Sequence, residues 1–262
     1  MTSASRRQFL QAGLASAAFA SVASAATEPV AGMIFPPADY PVPPEATKLY
    51  PKGVRFLAQG VGLERMTPEG YDKVVDKIVP AAQNLAKQGA TAITLMGTSL
   101  SFYKGAAFNQ QLGDSIHKAT GLPSTTMSTA VVEGLRTMGA KRVAVATAYN
   151  DEVNHRLEIF LHESGFEVVT IKGLGIERFE DSPPVTQDGL QKFSAGVFAS
   201  APKADSLLIS CGALKTLEIL APLEKQCKVP VVSSLPHALR AAVRIAGLSG
   251  KAQGYGSLLA RS

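Results

Sequence analysis

Residues that could do chemistry stand at the end of an apolar run in the first half of the chain. Residues 91–96 are mostly apolar and partly β-branched, and Gly97, Thr98 and Ser99 follow them directly. A glycine and two hydroxyls are typical of an ordinary strand-to-helix turn, in which Thr or Ser caps the helix. They also suit an anion cradle, in which hydroxyls and backbone N–H groups bind negative charge. On these residues alone both interpretations stay open.

A second apolar run, residues 206–210, ends at Cys211 and Gly212. Cys211 could act as a thiol acid, pack as a small buried hydrophobe, or form a disulfide with Cys227. Neither cysteine belongs to a C-x-x-C pair, and the four histidines are scattered along the chain. The sequence therefore predicts no metal site.

The N-terminus has the features of an exported protein. Arg6 and Arg7 precede an uncharged, largely apolar run, and residues 23–25 offer the small-residue pattern of a signal-peptidase site. The paired arginines predict a Tat signal over residues 1–25, the Tat export machinery as a partner, and a periplasmic mature protein. A frayed, alanine-rich helix is the alternative. The apolar run is shorter than the roughly 20 residues that span a bilayer, so no stable membrane anchor is predicted.

The charge balance excludes one class of partner. The chain has 26 Lys and Arg against 21 Asp and Glu. This excess is too small and too scattered to indicate nucleic-acid binding. The sequence also lacks a G-x-G-x-x-G motif after a strand and a Walker loop, so a nucleotide is not indicated.

Apolar and amphipathic segments alternate along the chain. Strands are predicted at residues 30–35, 91–96, 142–147, 206–210 and 229–233. Helices are predicted at residues 69–88, 109–120, 128–138, 151–164 and 186–199. Strands that alternate with helices indicate an α/β fold with parallel sheets.

The two halves of the chain also resemble each other. Three markers recur in the same order: Gly97 with Cys211, Pro123 with Pro230, and Pro36 with Ala148. This recurrence predicts two pseudo-symmetric lobes, one of residues 28–132 and 238–262 and the other of residues 133–237. Ligands of open α/β sheets bind at the carboxyl ends of the strands, so we expect a site in the cleft between the lobes.

Several segments resemble the arylmalonate decarboxylase family of the aspartate/glutamate racemase superfamily. The resemblance is carried by residues 96–109, 121–130, 146–149 and 210–212 and extended by residues 32–37 and 67–71. It covers residues 30–256 and implies two Rossmann-like lobes with the active site between them. Racemase members carry one cysteine in each lobe, but Gly97 occupies the first-lobe position here, which leaves Cys211 alone.

The resemblance implies a carboxy-lyase that works without a cofactor on a small dicarboxylate. Loss of CO2 from a disubstituted malonate leaves an enediolate, and Cys211 would protonate it. With an ordinary thiol pKa near 8.5, activity is expected to fall in alkaline solution. A dioxyanion hole would stabilise the developing charge. Its implied members are Thr98, Ser99, Tyr149, Cys211 and Gly212.

The departing carboxylate would lie in an apolar pocket. The matching positions are Pro36, Pro37, Leu63, Met66 and Tyr71. Met66 stands where the family carries a smaller branched residue, and residues 175–186 align poorly. Ser128, Ser233 and Ser234 are interpreted as turn residues.

Two other functions remain as alternatives. A racemase or isomerase of the same superfamily would act on another small carboxylate, but Gly97 in place of cysteine argues against it. A periplasmic protein that captures a carboxylate between two lobes would need no thiol at the centre of its site.

Overall fold

Two parallel four-stranded sheets form the centre of the molecule. The computed structural model describes residues 28–178 and 185–261, so the predicted signal lies outside the described residues. The first sheet contains β1 (Val30–Phe35), β2 (Arg55–Gly60), β3 (Ala92–Leu95) and β4 (Ser124–Thr126) in the order β2-β1-β3-β4. The second contains β5 (Arg142–Thr147), β6 (Glu167–Gly173), β7 (Ser206–Ser210) and β8 (Val231–Ser233) in the order β6-β5-β7-β8. The identical strand orders confirm the predicted fold class of two related α/β lobes.

Ten helices cover the sheets in the described part of the chain. They are α1 (Pro44–Leu49), α2 (Pro68–Asp72), α3 (Ile78–Lys87), α4 (Thr98–Phe102), α5 (Gly105–Thr120), α6 (Met127–Thr137), α7 (Asp151–Glu163), α8 (Gln187–Ala199), α9 (Leu220–Cys227) and α10 (Ser234–Ile245). Four of them begin with a side chain that accepts a backbone N–H bond three residues on: Thr67, Thr126, Asn150 and Thr186. These caps satisfy backbone donors that a helix start leaves unpaired.

The register of the central strands brings the candidate residues to one edge. In the first sheet Ile34 pairs with Leu95, so β1 and β3 end at the same level. In the second sheet Thr147 pairs with Ser210, which aligns the ends of β5 and β7. All four strands are largely buried and apolar because helices cover both faces of each sheet.

The prediction of a single helix at residues 69–88 is wrong. The chain forms α2, a 3-10 turn at Val75–Lys77 and then α3. Pro80 explains the break, because a proline inside a continuous helix removes a hydrogen bond and clashes with the preceding turn. In α3 it occupies the first turn, where its missing N–H has no intrahelical partner in any case.

Helix α10 connects the two sheets. It follows β8 of the second sheet but packs against β1, β3 and β4 of the first sheet and against α6. Its first residue, Ser234, therefore lies between the strand ends of the two sheets. The boundaries predicted for the lobes remain a prediction.

No helix among residues 28–178 and 185–261 has the length and apolar character needed to cross a bilayer.

Candidate active site

The strand ends of both sheets enclose one cleft. The space between its walls measures about 370 Å³, with its open mouth included. Its lining consists of Phe35, Pro36, Pro37, Tyr40, Met66, Met96, Gly97, Thr98, Ser99, Tyr149, Cys211, Gly212 and Ala213. All five residues predicted for the dioxyanion hole are in this lining, together with Pro36, Pro37 and Met66 of the predicted pocket. Leu63 and Tyr71 are buried but do not line the cleft.

Cys211 is held in an unusual backbone conformation at the end of β7. Its φ of 153° belongs to a region that is nearly restricted to glycine, and this strain persists only because the surroundings hold it. The side chain is only 4% exposed. Burial raises the pKa of the Cys211 thiol to about 11, and hydrogen bonds from the backbone N–H groups of Ala213 and Leu214 partly oppose the shift. The thiol therefore carries its proton at neutral pH.

This pKa changes the expected pH dependence. An ordinary thiol value near 8.5 places the loss of activity in mildly alkaline solution, whereas the buried Cys211 keeps its proton beyond that range. Cys211 and Cys227 are also both free thiols, so the alternative of a disulfide between them is not realised.

Thr98 lies across the cleft from the thiol, at the start of α4. It is buried, and its Oγ1 is 2.9 Å from the Oγ of Ser234 and 2.9 Å from the Sδ of Met127. Ser99 follows it and is also buried. The two hydroxyls line the cleft from the first sheet, opposite the cysteine of the second sheet.

Ser234 joins these two sides of the site. The backbone N–H of Cys211 donates a 3.1 Å hydrogen bond to Ser234 Oγ, the same atom that contacts the Thr98 hydroxyl. The N–H predicted to serve the dioxyanion hole is thus already engaged. From the sequence alone, Ser234 is predicted to be a turn residue. The available signal was its place directly after β8, beside the end of β7.

Tyr149 presents a phenol to the cleft from the end of β5. Its ring packs edge-on against Phe102 with 5.8 Å between the ring centroids, and its hydroxyl is 3.3 Å from Ser210 Oγ. Burial raises the pKa of Tyr149 well above its usual value, so the phenol remains a neutral donor.

Tyr71 lies behind the wall of the cleft. Its ring is fully buried and packs against Tyr103 with 5.0 Å between the ring centroids. Its hydroxyl makes no hydrogen bond to any residue that the structure describes. The region predicted to be an apolar pocket therefore contains a buried polar atom.

A contact between the lobes fixes the wall that carries Met66. Glu177 accepts a 2.9 Å hydrogen bond from Asn150 Nδ2, and its carboxylate also pairs with Arg65. The backbone carbonyl of Glu177 accepts a 2.7 Å bond from the N–H of Met66. Glu177 could not be predicted from the sequence, because it lies in residues 175–186, which match the family poorly.

Tyr40 is another residue of the cleft that the sequence did not single out. It stacks on Phe35 with 4.4 Å between the ring centroids, and burial raises the pKa of its phenol to about 12. Its position five residues after β1 is the signal that could have indicated it.

Comparison with known proteins decides the family. A family model described as arylmalonate decarboxylase matches residues 31–259. The chain belongs to the arylmalonate decarboxylase family. The arylmalonate decarboxylase of Bordetella bronchiseptica is 48% identical over 238 residues, which cover 90% of this chain and 99% of the relative. Membership of the arylmalonate decarboxylase family makes the chain a carboxy-lyase.

Solved structures agree with this family. One is the liganded form of an arylmalonate decarboxylase mutant with a glycine replaced by cysteine and a cysteine by serine. It has a TM-score of 0.85 and 48% identity, covering 88% of this chain and 98% of that one. Its two substituted positions are 114 residues apart, as are Gly97 and Cys211. The maleate isomerase Iso from Pseudomonas putida S16 shares the fold, with a TM-score of 0.80 at 20% identity and coverage of 88% and 98%.

A metal site is not assembled by the described residues. Within residues 28–178 and 185–261, no group of three His, Cys, Asp or Glu side chains is arranged to hold an ion. The residues that line the cleft offer hydroxyls, a thiol and backbone N–H groups instead.

Proposed function

We propose that this carboxy-lyase decarboxylates disubstituted arylmalonates without a cofactor and that Cys211 protonates the product. One observation carries the proposal: the cleft holds a buried, protonated thiol from the second sheet opposite the Thr98 and Ser99 hydroxyls of the first sheet. The same cleft has a glycine, Gly97, where a second thiol would stand. The substrate follows from the family and the proton donor from this geometry.

The reaction proceeds by breaking one carbon–carbon bond. The bond between the α-carbon and the departing carboxylate breaks, CO2 leaves, and its electron pair passes into the remaining carboxylate as an enediolate. The Cys211 thiol then gives its proton to the α-carbon. The product is a monocarboxylate, and the thiolate regains its proton from solvent. A thiol with a pKa near 11 forms a strongly basic thiolate, so reprotonation is favourable.

Hydrogen bonds take the place of an electron-accepting cofactor. In this proposal the donors to the two enediolate oxygens are the Thr98, Ser99 and Tyr149 hydroxyls and the N–H of Gly212, all from residues that line the cleft. Donors fixed at developing negative charge lower the barrier, and each contributes about 3 kcal/mol in well-studied oxyanion holes. A neutral set of donors stabilises the transition state most strongly, because the negative charge on the oxygens that they bind accumulates there.

The departing carboxylate faces the apolar side of the cleft. Pro36, Pro37 and Met66 form this wall, with Leu63 and Tyr71 buried behind it. An apolar wall replaces water around an anion and thereby favours its departure as neutral CO2.

The decisive experiment measures CO2 release from a panel of disubstituted arylmalonates. The proposal expects turnover by the wild-type protein, loss of turnover in Cys211→Ala, and wild-type activity in the matched variant Cys227→Ala, since Cys227 is a half-buried thiol outside the cleft. Binding of a dicarboxylate without turnover would instead support a capture protein. Interconversion of product enantiomers by the wild-type protein would support a racemase.

We also propose that the protein acts in the periplasm after Tat export. The proposal rests on Arg6, Arg7 and the following apolar run in residues 1–25. Fractionation of cells that express the full chain tests it. The wild-type protein should be found in the periplasm, and the Arg6→Lys, Arg7→Lys double variant should remain in the cytoplasm. Equal distribution of both proteins would overturn the proposal.

A further inference from the structure

We propose that Tyr40 is a specificity residue whose hydroxyl donates a hydrogen bond to a neutral oxygen on the aryl group of the substrate. This inference rests on the proposed function and narrows its substrate class to arylmalonates that carry a hydroxyl or alkoxy group on the ring. Tyr40 lines the cleft and is partly exposed. Neither the proton donor, the dioxyanion hole nor the apolar wall of the proposed function uses this residue.

The loop that carries Tyr40 is held against the first sheet. It connects β1 to α1 and contains prolines at positions 36, 37, 41 and 43, each of which restricts backbone rotation. A Cβ atom on Gly60 would lie 2.0 Å from the carbonyl oxygens of Pro37 and Ala38, so the loop packs directly on the end of β2. Tyr40 is therefore preorganised, and little conformational freedom is lost when a ligand binds to it.

The ring of Tyr40 is fixed by stacking, but its hydroxyl has no partner in the protein. The ring lies on Phe35 with 4.4 Å between the centroids and 22° between the planes. The hydroxyl forms no hydrogen bond with any residue that the structure describes. The stack therefore holds the side chain in place and leaves its polar group available to a ligand in the cleft.

The Tyr40 hydroxyl is a neutral donor that suits a neutral acceptor. Burial, followed by the negative charges of Glu45 and of an ionised Cys211, raises the pKa of Tyr40 to about 12. The phenol thus keeps its proton at neutral pH and lies within electrostatic range of the reacting thiol. The nearby carboxylate of Glu45 disfavours an anionic group at this place. An ether or hydroxyl oxygen is the acceptor that fits.

The other walls of the cleft leave the aromatic pair for the aryl group. In the proposed function the hydroxyl donors bind the retained carboxylate, and the wall around Met66 faces the departing one. The stacked rings of Phe35 and Tyr40 belong to the same lining and have no other role. Aromatic rings pack well on each other in offset or edge-to-face arrangements. An aryl group placed against this pair brings its ring substituent to the Tyr40 hydroxyl.

Substrates of equal size but different polarity should reveal this hydrogen bond. A methoxy group can accept from Tyr40, whereas an ethyl group of similar shape displaces water from the phenol and leaves it unpaired. One neutral hydrogen bond changes the relative kcat/KM by about 3–10-fold. Tyr40→Phe keeps the stacked ring and removes only the donor. The preference for methoxy over ethyl should therefore fall about 3–10-fold in this variant.

The test measures kcat/KM for pairs of methoxyphenyl and ethylphenyl α-methylmalonates, substituted at the ortho, meta or para position. Comparison of each ratio between the wild-type protein and Tyr40→Phe cancels the intrinsic reactivity of the two substrates. Tyr255→Phe is the matched control, because Tyr255 contacts Lys48 outside the cleft and its loss should leave every ratio unchanged. Thermal unfolding shows whether each variant remains folded.

The expected result is a loss of methoxy preference in Tyr40→Phe at one ring position or more. Identical ratios in Tyr40→Phe and the wild-type protein at all three positions would overturn the inference, as would an equal change in Tyr255→Phe. If the wild-type protein turns over no arylmalonate, the proposed function fails. Calorimetric affinities for the same pairs then test Tyr40 separately, and equal affinity ratios in both proteins, or no binding at all, would overturn its assignment.

Discussion

Pro36 packs directly against Gly97 at the end of the first sheet. A Cβ atom built on Gly97 would lie 2.8 Å from Cγ of Pro36 and 3.2 Å from Cβ of Leu100. Real Cβ atoms essentially never approach another atom as closely as 2.8 Å, and the contact to Leu100 would also be tight, so this position is fitted to glycine. The matching position of the second sheet carries Cys211, and the cleft therefore has its thiol on one face only.

The first prediction concerns this contact. Gly97→Ala should lower the free energy of unfolding by about 1–3 kcal/mol, the usual cost of overpacking a tight interior. The added methyl group also pushes Pro36 into the cleft, so kcat/KM for an arylmalonate should fall. Urea unfolding and steady-state kinetics measure the two effects.

Gly196 provides the control for that variant. It lies inside α8 and has open space where a Cβ would stand. Gly196→Ala should therefore raise stability by about 0.5–1 kcal/mol, because alanine favours the helix. If Gly97→Ala were as stable as the wild-type protein, the close fit to Pro36 would be refuted.

The second prediction concerns pH. Because folding raises the pKa of the Cys211 thiol from 9.0 to about 11, the folded state holds this proton more tightly than the unfolded state. The resulting stability is complete below pH 9 and is lost as the pH rises toward 11. In Cys211→Ser this part of the pH dependence should disappear.

The pH dependence of the activity should be set by the same thiol, that of Cys211. The protonated thiol is the acid, so kcat should stay level through pH 9 and fall as the pH approaches 11. Rate profiles and unfolding midpoints from pH 7 to 11 provide the measurement. A fall of kcat centred near pH 8.5 would show that the thiol is not desolvated in the cleft.

Burial determines which strands can be predicted from the sequence. Strands β1, β3, β5 and β7 are buried on both faces and appear in the sequence as apolar runs. Strands β2 and β6 are edge strands with mixed polarity, RFLAQG and EVVTIKG, and were missed. A half-buried edge strand leaves only a weak signal in a single sequence.

In the candidate site, too, some residues could be predicted from the sequence and others could not. Thr98 and Cys211 could be predicted because each lies within two residues of the end of a predicted strand and the two halves repeat. Ser234 and Glu177 were not assigned to the site, because Ser234 contacts Thr98, 136 residues away, and Glu177 contacts Arg65, 112 residues away. Such contacts depend on how α10 and the segment after β6 return to the cleft, which local patterns do not encode.

The third prediction concerns the contact between Glu177 and the Met66 wall. Glu177→Ala removes the bond to Asn150 and the ion pair with Arg65, while the backbone bond to Met66 remains. We expect KM to rise several-fold with a stability loss of no more than about 1 kcal/mol, since the ion pair is exposed.

Asp188→Ala is the control for Glu177→Ala. It removes an exposed ion pair with Lys192 inside α8, away from the cleft, and should leave KM unchanged. An unchanged KM in Glu177→Ala would mean that the backbone bond alone positions the wall.

The fourth prediction concerns the size of the cleft. Met66 is only 2% exposed and lines the cleft, at the position where the family resemblance implies a smaller branched residue. Met66→Val should enlarge the apolar side and raise kcat/KM for bulky α-substituents relative to small ones. The shortened side chain should cost about 1 kcal/mol of stability, as similar core truncations do.

Met33→Val separates pocket size from core packing. Met33 is fully buried in β1 and does not line the cleft, so its truncation should lower stability without changing the substrate preference. The measurement is the ratio of kcat/KM for two arylmalonates that differ only in the α-substituent. An equal ratio in Met66→Val and the wild-type protein would show that Met66 does not limit substrate size, and the bulky group would then have to face Tyr40 or the open mouth.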